Sequence, residues 1–558
     1  MESSTKAKAS CKKMKLVIKK TFKDIAPTIW NMTCELRNRE GITGMNAMHH
    51  INLFLLIRSL DKTTCEKLGI PAEFCFENLK DLAPVQLQEK IYNPPDKHTL
   101  VMKIRERDRF GFQKTTPFEI KNNSTIHYLI FKTKEIDIDY FLKQIDLIGD
   151  IYEGFINREG NTMKDLGQFF TDRALINYLV ELCDPKVVDG VTETVYDGAA
   201  GTGGFITQAI RYLNKKNNQI DWEKNQHNIY GYDMSRNTYV LLRLNMYFTT
   251  GEIFDSINMQ DTLKTEPVND HGFDNILMNP PFGVKGLLYK DMNSKIRGMG
   301  INGTKGEILF LQHCMMNLAD NGRCVIVVPD GVLFNATKMY TETRQYLMTH
   351  FELEKVIKVG KGEFFKNTGV KTAVLFFRKT GSPTKEVKFV QVNKLDDTIS
   401  EVPLMTIPFE KIVENKISLN MNNYKENSFG ECSNCELVEI GDIITTFQAG
   451  KYVKDLDGTL YPYYNSNGIT GHLDDFMFDG EYIVQATSGS MGTFYHNGKF
   501  SSTNFTSVFT TNEQCLLKYL YYFIKLKINI TTDVCNGSTI PNLDKLAFKK
   551  IKIPIPSI

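Results

Sequence analysis

The chain has 558 residues, 42% hydrophobic and 24% charged, with a formal net charge of +2. That length is too great for one hydrophobic core, and no apolar run reaches membrane-spanning length, so the composition describes a multidomain globular protein and excludes a membrane-inserted one. A near-neutral total neither demands nor excludes nucleic acid, which needs only a local basic surface, and the 11 scattered cysteines fit reduced thiols better than a disulfide framework.

Residues 1–26 read as a basic flexible head that opens on "MESSTKAKASCKKMKLVIKK" and carries no apolar stretch of the kind a secretory signal has. The expectation is a cytoplasmic protein, or one of a viral or host intracellular compartment. Residues 27–150 read as a mainly helical domain, with apolar residues at helical spacing in "MNAMHHINLFLLIRSLDK" and an extended piece, "TIHYLIFK", interrupting them. His49 and His50 lie inside that pattern with no partner cluster, as packed or surface residues.

Residues 151–395 alternate short β-branched runs with helical stretches, which predicts an α/β domain whose parallel sheet is covered by helices. The strands are expected at 192–197, 228–233, 273–279, 323–329, 354–359 and 372–379. Residues 396–435 read as a polar connector. It holds the lone CxxC of Cys432 and Cys435, which lacks the second ligand pair that structural zinc needs, so no metal is expected. Residues 436–558, rich in Gly, Asn and aromatics, read as a turn-rich α+β module.

"VYDGAAGTGGFI" carries the first chemical signal. Asp197 ends a strand, Gly201, Thr202, Gly203 and Gly204 fill the turn, and a helix comes next whose N-terminus offers free N–H groups. Asp233 ends the next strand in "GYDMS", where a carboxylate can take both hydroxyls of a ribose. Asp261 in "NMQDTL" sits where a third strand should end, able to accept from an adenine amine. The loop departs from G-x-G-x-x-G and lacks the Lys-Ser/Thr of a phosphate loop. A nucleoside cofactor without a phosphate cradle, S-adenosylmethionine, fits that pattern.

"FDNILMNPPFG" then ends an apolar strand on Asn279-Pro280-Pro281-Phe282. Two prolines fix the direction in which the chain leaves the sheet. The Asn279 side-chain oxygen and the Pro280 carbonyl can bind both protons of an exocyclic amine, and Phe282 can stack on a base flipped out of the duplex. These four are the candidate catalytic residues.

Several motifs together give a resemblance: "GQFFTD" (167–172), "DGAAGTGGF" (197–205), "GYDMS" (231–235), "DTL" (261–263), "NPPFG" (279–283), "GEILFLQHCM" (306–315) and "VVPDGVLF" (327–334). The chain resembles the N6-adenine DNA methyltransferases that are modification subunits of type I restriction-modification systems. The resemblance implies a Rossmann-like methyltransferase sheet behind an N-terminal helical domain that helps to embrace DNA. It also implies that Gln168, Phe169, Phe170, Thr171, Asp172 and Arg173 flank the methionine part of the cofactor. Asp172 stands where the family usually has Pro.

The last 120 or so residues, including "YPYYNSNGITGHLDD" and "NGSTIPNLDKLAFKKIKIPIP", are similar to a target-recognition domain of the specificity subunits. Lys451, Tyr452, Tyr464, Asn465, Asn467, Ser488, Ser490 and Lys499 are its candidates for contacts to bases or phosphates. The reading is a site-specific adenine-N6 methyltransferase acting on double-stranded DNA. A second copy of the chain or a separate specificity subunit, and a separate restriction subunit, stay open as partners. Cytosine-N4 methylation stays open too, since it would use the same tip, and so does a non-catalytic DNA-binding protein that keeps the fold.

Overall fold

The computed structural model describes residues 22–92, 99–106, 110–112, 120–138, 147–159, 171–217, 220–360, 364–365, 370–395, 398–424, 435–512, 514–528, 534–536 and 541–556. Most of the basic head, together with Gln168, Phe169, Phe170 and Cys432, lies outside them. The chain divides into two compact units, Met1–Pro281 and Phe282–Ile558.

The first unit begins with a helical layer. Helix Gly44–Ser59 is apolar nearly all round and buries every residue from Ala47 to Ile57, as a helix packed on all sides must. "TIHYLIFK", expected to be extended, instead belongs to helix Asn123–Lys134. Asn122 caps it, its side chain accepting from the Ser124 amide, and Thr125, Ile126, Leu129, Ile130 and Thr133 turn to one buried face. That i, i+4 spacing overrides the strand-like content of the stretch.

The layer shares one apolar core with helix Arg236–Thr250 through Val240, Leu241, Leu244, Tyr247 and Phe248. His49 Nε2 and Asn237 Oδ1 meet at 3.0 Å across the same boundary. His49 and His50 are therefore packed core residues, 4% and 1% exposed.

The sheet of this unit runs in the order Phe273–Met278, Val195–Asp197, Ile229–Asp233, Ile257–Met259, and its three pairings are all parallel. The chain leaves the central strand Val195–Asp197 in one direction for two strands, then returns to its other side. That reversal makes the carboxyl ends of Val195–Asp197 and Phe273–Met278 a topological switch point, beyond which sheets of this kind usually take their ligands.

The second unit holds a mixed sheet. Leu318–Pro329 and Glu352–Val359 both pair antiparallel with Thr372–Arg378, and Glu386–Leu395 pairs parallel with Glu352–Val359. Residues 398–408, read from the sequence as connector, are the second arm of an antiparallel hairpin with Glu386–Leu395. Its pairing partner, not its own polar composition, makes the strand.

The C-terminal module of this unit has a six-stranded sheet. Helix Gln514–Lys527 supplies Leu517, Leu520, Phe523 and Ile524 to its core. Strand Cys435–Glu439 pairs antiparallel with Lys552–Pro556, so the two ends of the module meet. Cys34, Cys65, Cys75, Cys183, Cys314, Cys324 and Cys535 are free thiols. Cys435 is disulfide-bonded, which corrects the expectation of reduced thiols at that position. Among the described residues no helix is long and apolar enough to cross a membrane.

Candidate active site

The glycine loop is shaped by three different constraints. At Gly198 a Cβ would meet Tyr196 Oη at 2.4 Å and Thr262 Cγ2 at 2.8 Å, so packing alone demands Gly. Gly201 has φ +54° and open space around it, and Gly203 has φ +89° with Leu242 Cδ1 at 2.6 Å from the position of an added Cβ. Gly203 is the N-cap of helix Gly204–Lys216, whose first amides face the carboxyl end of the sheet. The Thr202 carbonyl accepts a hydrogen bond from Asn245 Nδ2 at 2.9 Å.

Asp233 ties that loop to its own strand end. Its Oδ2 accepts from the Gly201 amide at 3.0 Å, and its Oδ1 from the Ser235 amide at 2.8 Å and the Thr238 hydroxyl at 2.6 Å. Burial pushes its carboxyl up, and these three bonds pull it back. Asp197 is buried, with Oδ1 on the Ala199 amide at 3.0 Å. Burial pushes it up to about 8, opposed by that bond and assisted by the nearby Asp233 charge. Asp261 faces its own turn, accepting from the Leu263 amide at 3.1 Å with Lys264 Nζ 3.4 Å away.

Of the segment ahead of the sheet, Thr171, Asp172 and Arg173 are described. Asp172 caps helix Arg173–Cys183, accepting from the Ala174 amide at 2.9 Å. An acidic N-cap is a local substitute for the proline expected there. Arg173 Nη1 lies 3.0 Å from where a Gly204 Cβ would stand, and Arg173 Nε is 3.7 Å from Asp150 Oδ1. The guanidinium thus borders the start of helix Gly204–Lys216.

Asn279 leaves strand Phe273–Met278 at the reversal point and is half-buried. Its Nδ2 donates to Thr171 Oγ1 at 2.9 Å. Among the described residues neither Asn279 Oδ1 nor the Pro280 carbonyl accepts a hydrogen bond. Pro280 is buried, Pro281 exposed and Phe282 half-buried.

Three neighbours escaped the sequence reading. Thr262 donates its hydroxyl to the Gly198 carbonyl at 2.5 Å, bracing the loop from the turn after strand Ile257–Met259. Tyr152 is 2% exposed, and its phenol is pushed up by burial and then by the Asp233 charge. Met234, next to Asp233, is 73% exposed. Met234 had a signal in the sequence, an apolar residue directly after the strand-end carboxylate; Tyr152, distant in sequence and apolar in context, had none.

In the C-terminal module, Tyr464 is 5% exposed, with its hydroxyl 3.1 Å from His496 Nδ1. It is a core residue. Tyr452 is 64% exposed, and the exposed Lys499 holds its Nζ 4.4 Å from the Phe476 ring centroid. Asn465 accepts from the Asn467 amide and Ser490 donates to the Ser466 carbonyl, both turn contacts. Lys451 is exposed and Ser488 half-buried.

A family model described as N-6 DNA Methylase matches residues 143–456, and one described as Type I restriction modification DNA specificity domain matches residues 433–558. The chain is similar to the type I restriction enzyme EcoEI methylase subunit of Escherichia coli, 33% identical over 278 residues, 49% of this chain and 54% of that protein. It is also similar to the type I restriction enzyme EcoKI methylase subunit of Escherichia coli strain K12, 27% identical over 379 residues, covering 64% and 67%. The chain thus spans between about half and two thirds of these relatives. Among solved structures it resembles the type I restriction-modification system methyltransferase subunit from Streptococcus thermophilus, with TM-score 0.51, 18% identity and coverage of 72% of this chain and 99% of that one. The first match spans more than half of the sequence: the chain belongs to the N-6 DNA methylase family and carries a type I specificity domain at its C-terminal end.

Proposed function

We propose that the protein transfers a methyl group from S-adenosylmethionine to the N6 amine of adenine in double-stranded DNA, at sites chosen by its C-terminal domain. The observation that carries this reading is the pair of open acceptors, Asn279 Oδ1 and the Pro280 carbonyl, held at the reversal point of a parallel sheet beside a glycine cradle.

The cradle fits a nucleoside. Gly201 faces open space, Asp233 stands at the neighbouring strand end with one lone pair uncommitted among the described residues, room for one ribose hydroxyl and not the two expected, and the exposed Met234 offers apolar surface for a base. Arg173 would meet the carboxylate of the methionine part. When bound, S-adenosylmethionine supplies an electrophilic methyl on a sulfonium and leaves as a neutral thioether.

The N6 lone pair is delocalised into the adenine ring, so the amine is a weak nucleophile. Asn279 Oδ1 and the Pro280 carbonyl accept its two protons and draw the nitrogen toward tetrahedral geometry, which aims the lone pair at the methyl carbon. With the donor bound, the amine held by Asn279 and Pro280 would take the methyl as its bond to sulfur is lost, and the proton the nitrogen then sheds would pass along its hydrogen bond at the tip to solvent water. Phe282 stacks on the flipped base. The prolines hold the acceptors still, and a misplacement of about 1 Å can cost on the order of a hundredfold in rate.

Membership of an N-6 family weighs against the cytosine-N4 and non-catalytic readings. The type I context supports a separate specificity or restriction subunit as partner, an intracellular setting with it. The test is mass spectrometry of nucleosides from unmethylated DNA incubated with the protein and S-adenosylmethionine. N6-methyladenine is expected, and N4-methylcytosine would refute the assignment.

A further inference from the structure

We infer that Thr171 is a positioning residue for the amide of Asn279, fixing the plane in which its oxygen meets the target amine. The inference rests on the reading of Asn279 as the amine acceptor and goes beyond it to a side chain 108 residues away in sequence. Asn279 Nδ2 donates to Thr171 Oγ1 at 2.9 Å, and this is the single hydrogen bond of the Asn279 side chain among the described residues.

An amide rotates about its last side-chain torsion in a broad, two-fold well. Without a partner, Asn279 would offer oxygen or NH2 to the switch point with little preference. The bond to Thr171 Oγ1 holds the amide in one plane, with NH2 on the threonine and Oδ1 open; since a hydroxyl can donate as well as accept, the incoming amine selects this end over the reversed one. The reversed amide would set donors against the donors of an incoming amine, so the substrate penalises it. Thr171 itself is held by its place directly before the capped helix Arg173–Cys183, Asp172 securing the first turn. The proposed acceptor is thereby referenced to Thr171, directly ahead of helix Arg173–Cys183, so the two segments hold one frame.

The competing role for Thr171 is a direct contact with the cofactor. Thr171→Val removes the hydroxyl at nearly constant shape, and Thr171→Ser keeps it. In the full chain, S-adenosylmethionine binding is measured by calorimetry, methyl transfer to unmethylated DNA by tritium incorporation, and the Asn279 rotamer by crystallography. The expected result for T171V is a kcat about tenfold to a hundredfold lower, a Kd for S-adenosylmethionine that changes far less, and an Asn279 side chain that has lost its fixed orientation. T171S restores all three. The inference is overturned if T171V keeps the wild-type kcat and rotamer, if its defect lies in cofactor binding alone, or if T171S is as impaired as T171V. Asn279→Ala separates the two layers: activity surviving in N279A sinks the reading of Asn279 itself, whereas its loss there beside a fully active T171V sinks only the role of Thr171.

Discussion

Gly201 and Gly203 sit two residues apart, yet different forces hold them. Both have positive φ, but only Gly203 has a side chain, Leu242, pressed against the place of a Cβ. Gly201→Ala therefore costs about 1 kcal/mol of backbone strain, and Gly203→Ala about 3 kcal/mol once Leu242 must move. Urea unfolding of the two variants checks that order; equal losses would contradict it. Asp197 gives a pH signature. Its carboxyl is raised to about 8 in the fold and titrates near 3.9 when unfolded. The fold binds the extra proton between those values, so this contribution is complete below about pH 4 and is lost as the pH rises through 8. Asp197→Asn mimics the protonated group and is expected to flatten the decline of stability between pH 5 and 8 by a few kcal/mol, measured as urea midpoints against wild type.

Elements differ in how much of them the sequence carries. Three of the four parallel strands of the first unit were legible as apolar runs ending at Asp197, Asp233 and Asn279, whereas Ile257–Met259 was expected only from Asp261 as its end and stops two residues short of it. The hairpin Glu386–Leu395 with Thr398–Pro408 was missed in both arms, since no strand was expected beyond 379. Its second arm alternates exposed and half-buried positions with a single buried one, and pairing with the arm before it supplies what burial does not. "TIHYLIFK" failed differently, a short apolar run being ambiguous between helix and strand. Asp172 was legible as a departure but not as a cap. Asp172→Ala should cost about 1 kcal/mol through loss of the bond to the Ala174 amide and weaken cofactor binding through the same turn. Asp172→Asn, which still caps, should lose little in either measurement.

At the scale of the molecule, an N-6 methylase match that runs to residue 456 and a type I specificity match that starts at 433 lie on one polypeptide. Both family likenesses were legible from motifs; which residues of the C-terminal module are surface and which are core was not. Tyr464 and Lys499 look equally suited to DNA in the sequence. Tyr464 belongs to an aromatic core with Phe494 and Phe500, whereas Lys499 is exposed over Phe476. Lys499→Ala is expected to weaken DNA binding and lower its salt dependence by about one counterion with no change in stability. Tyr464→Ala is expected to destabilise by about 3 to 5 kcal/mol. Binding measured across salt concentrations, beside urea unfolding, separates them.

The most direct measurement is single-molecule sequencing of DNA from cells expressing this chain, beside a strain expressing Asn279→Ala. The account predicts N6-methyladenine confined to one sequence motif with the intact protein and absent with N279A. Adenine methylation that persists in N279A, or a product that is N4-methylcytosine, would contradict it.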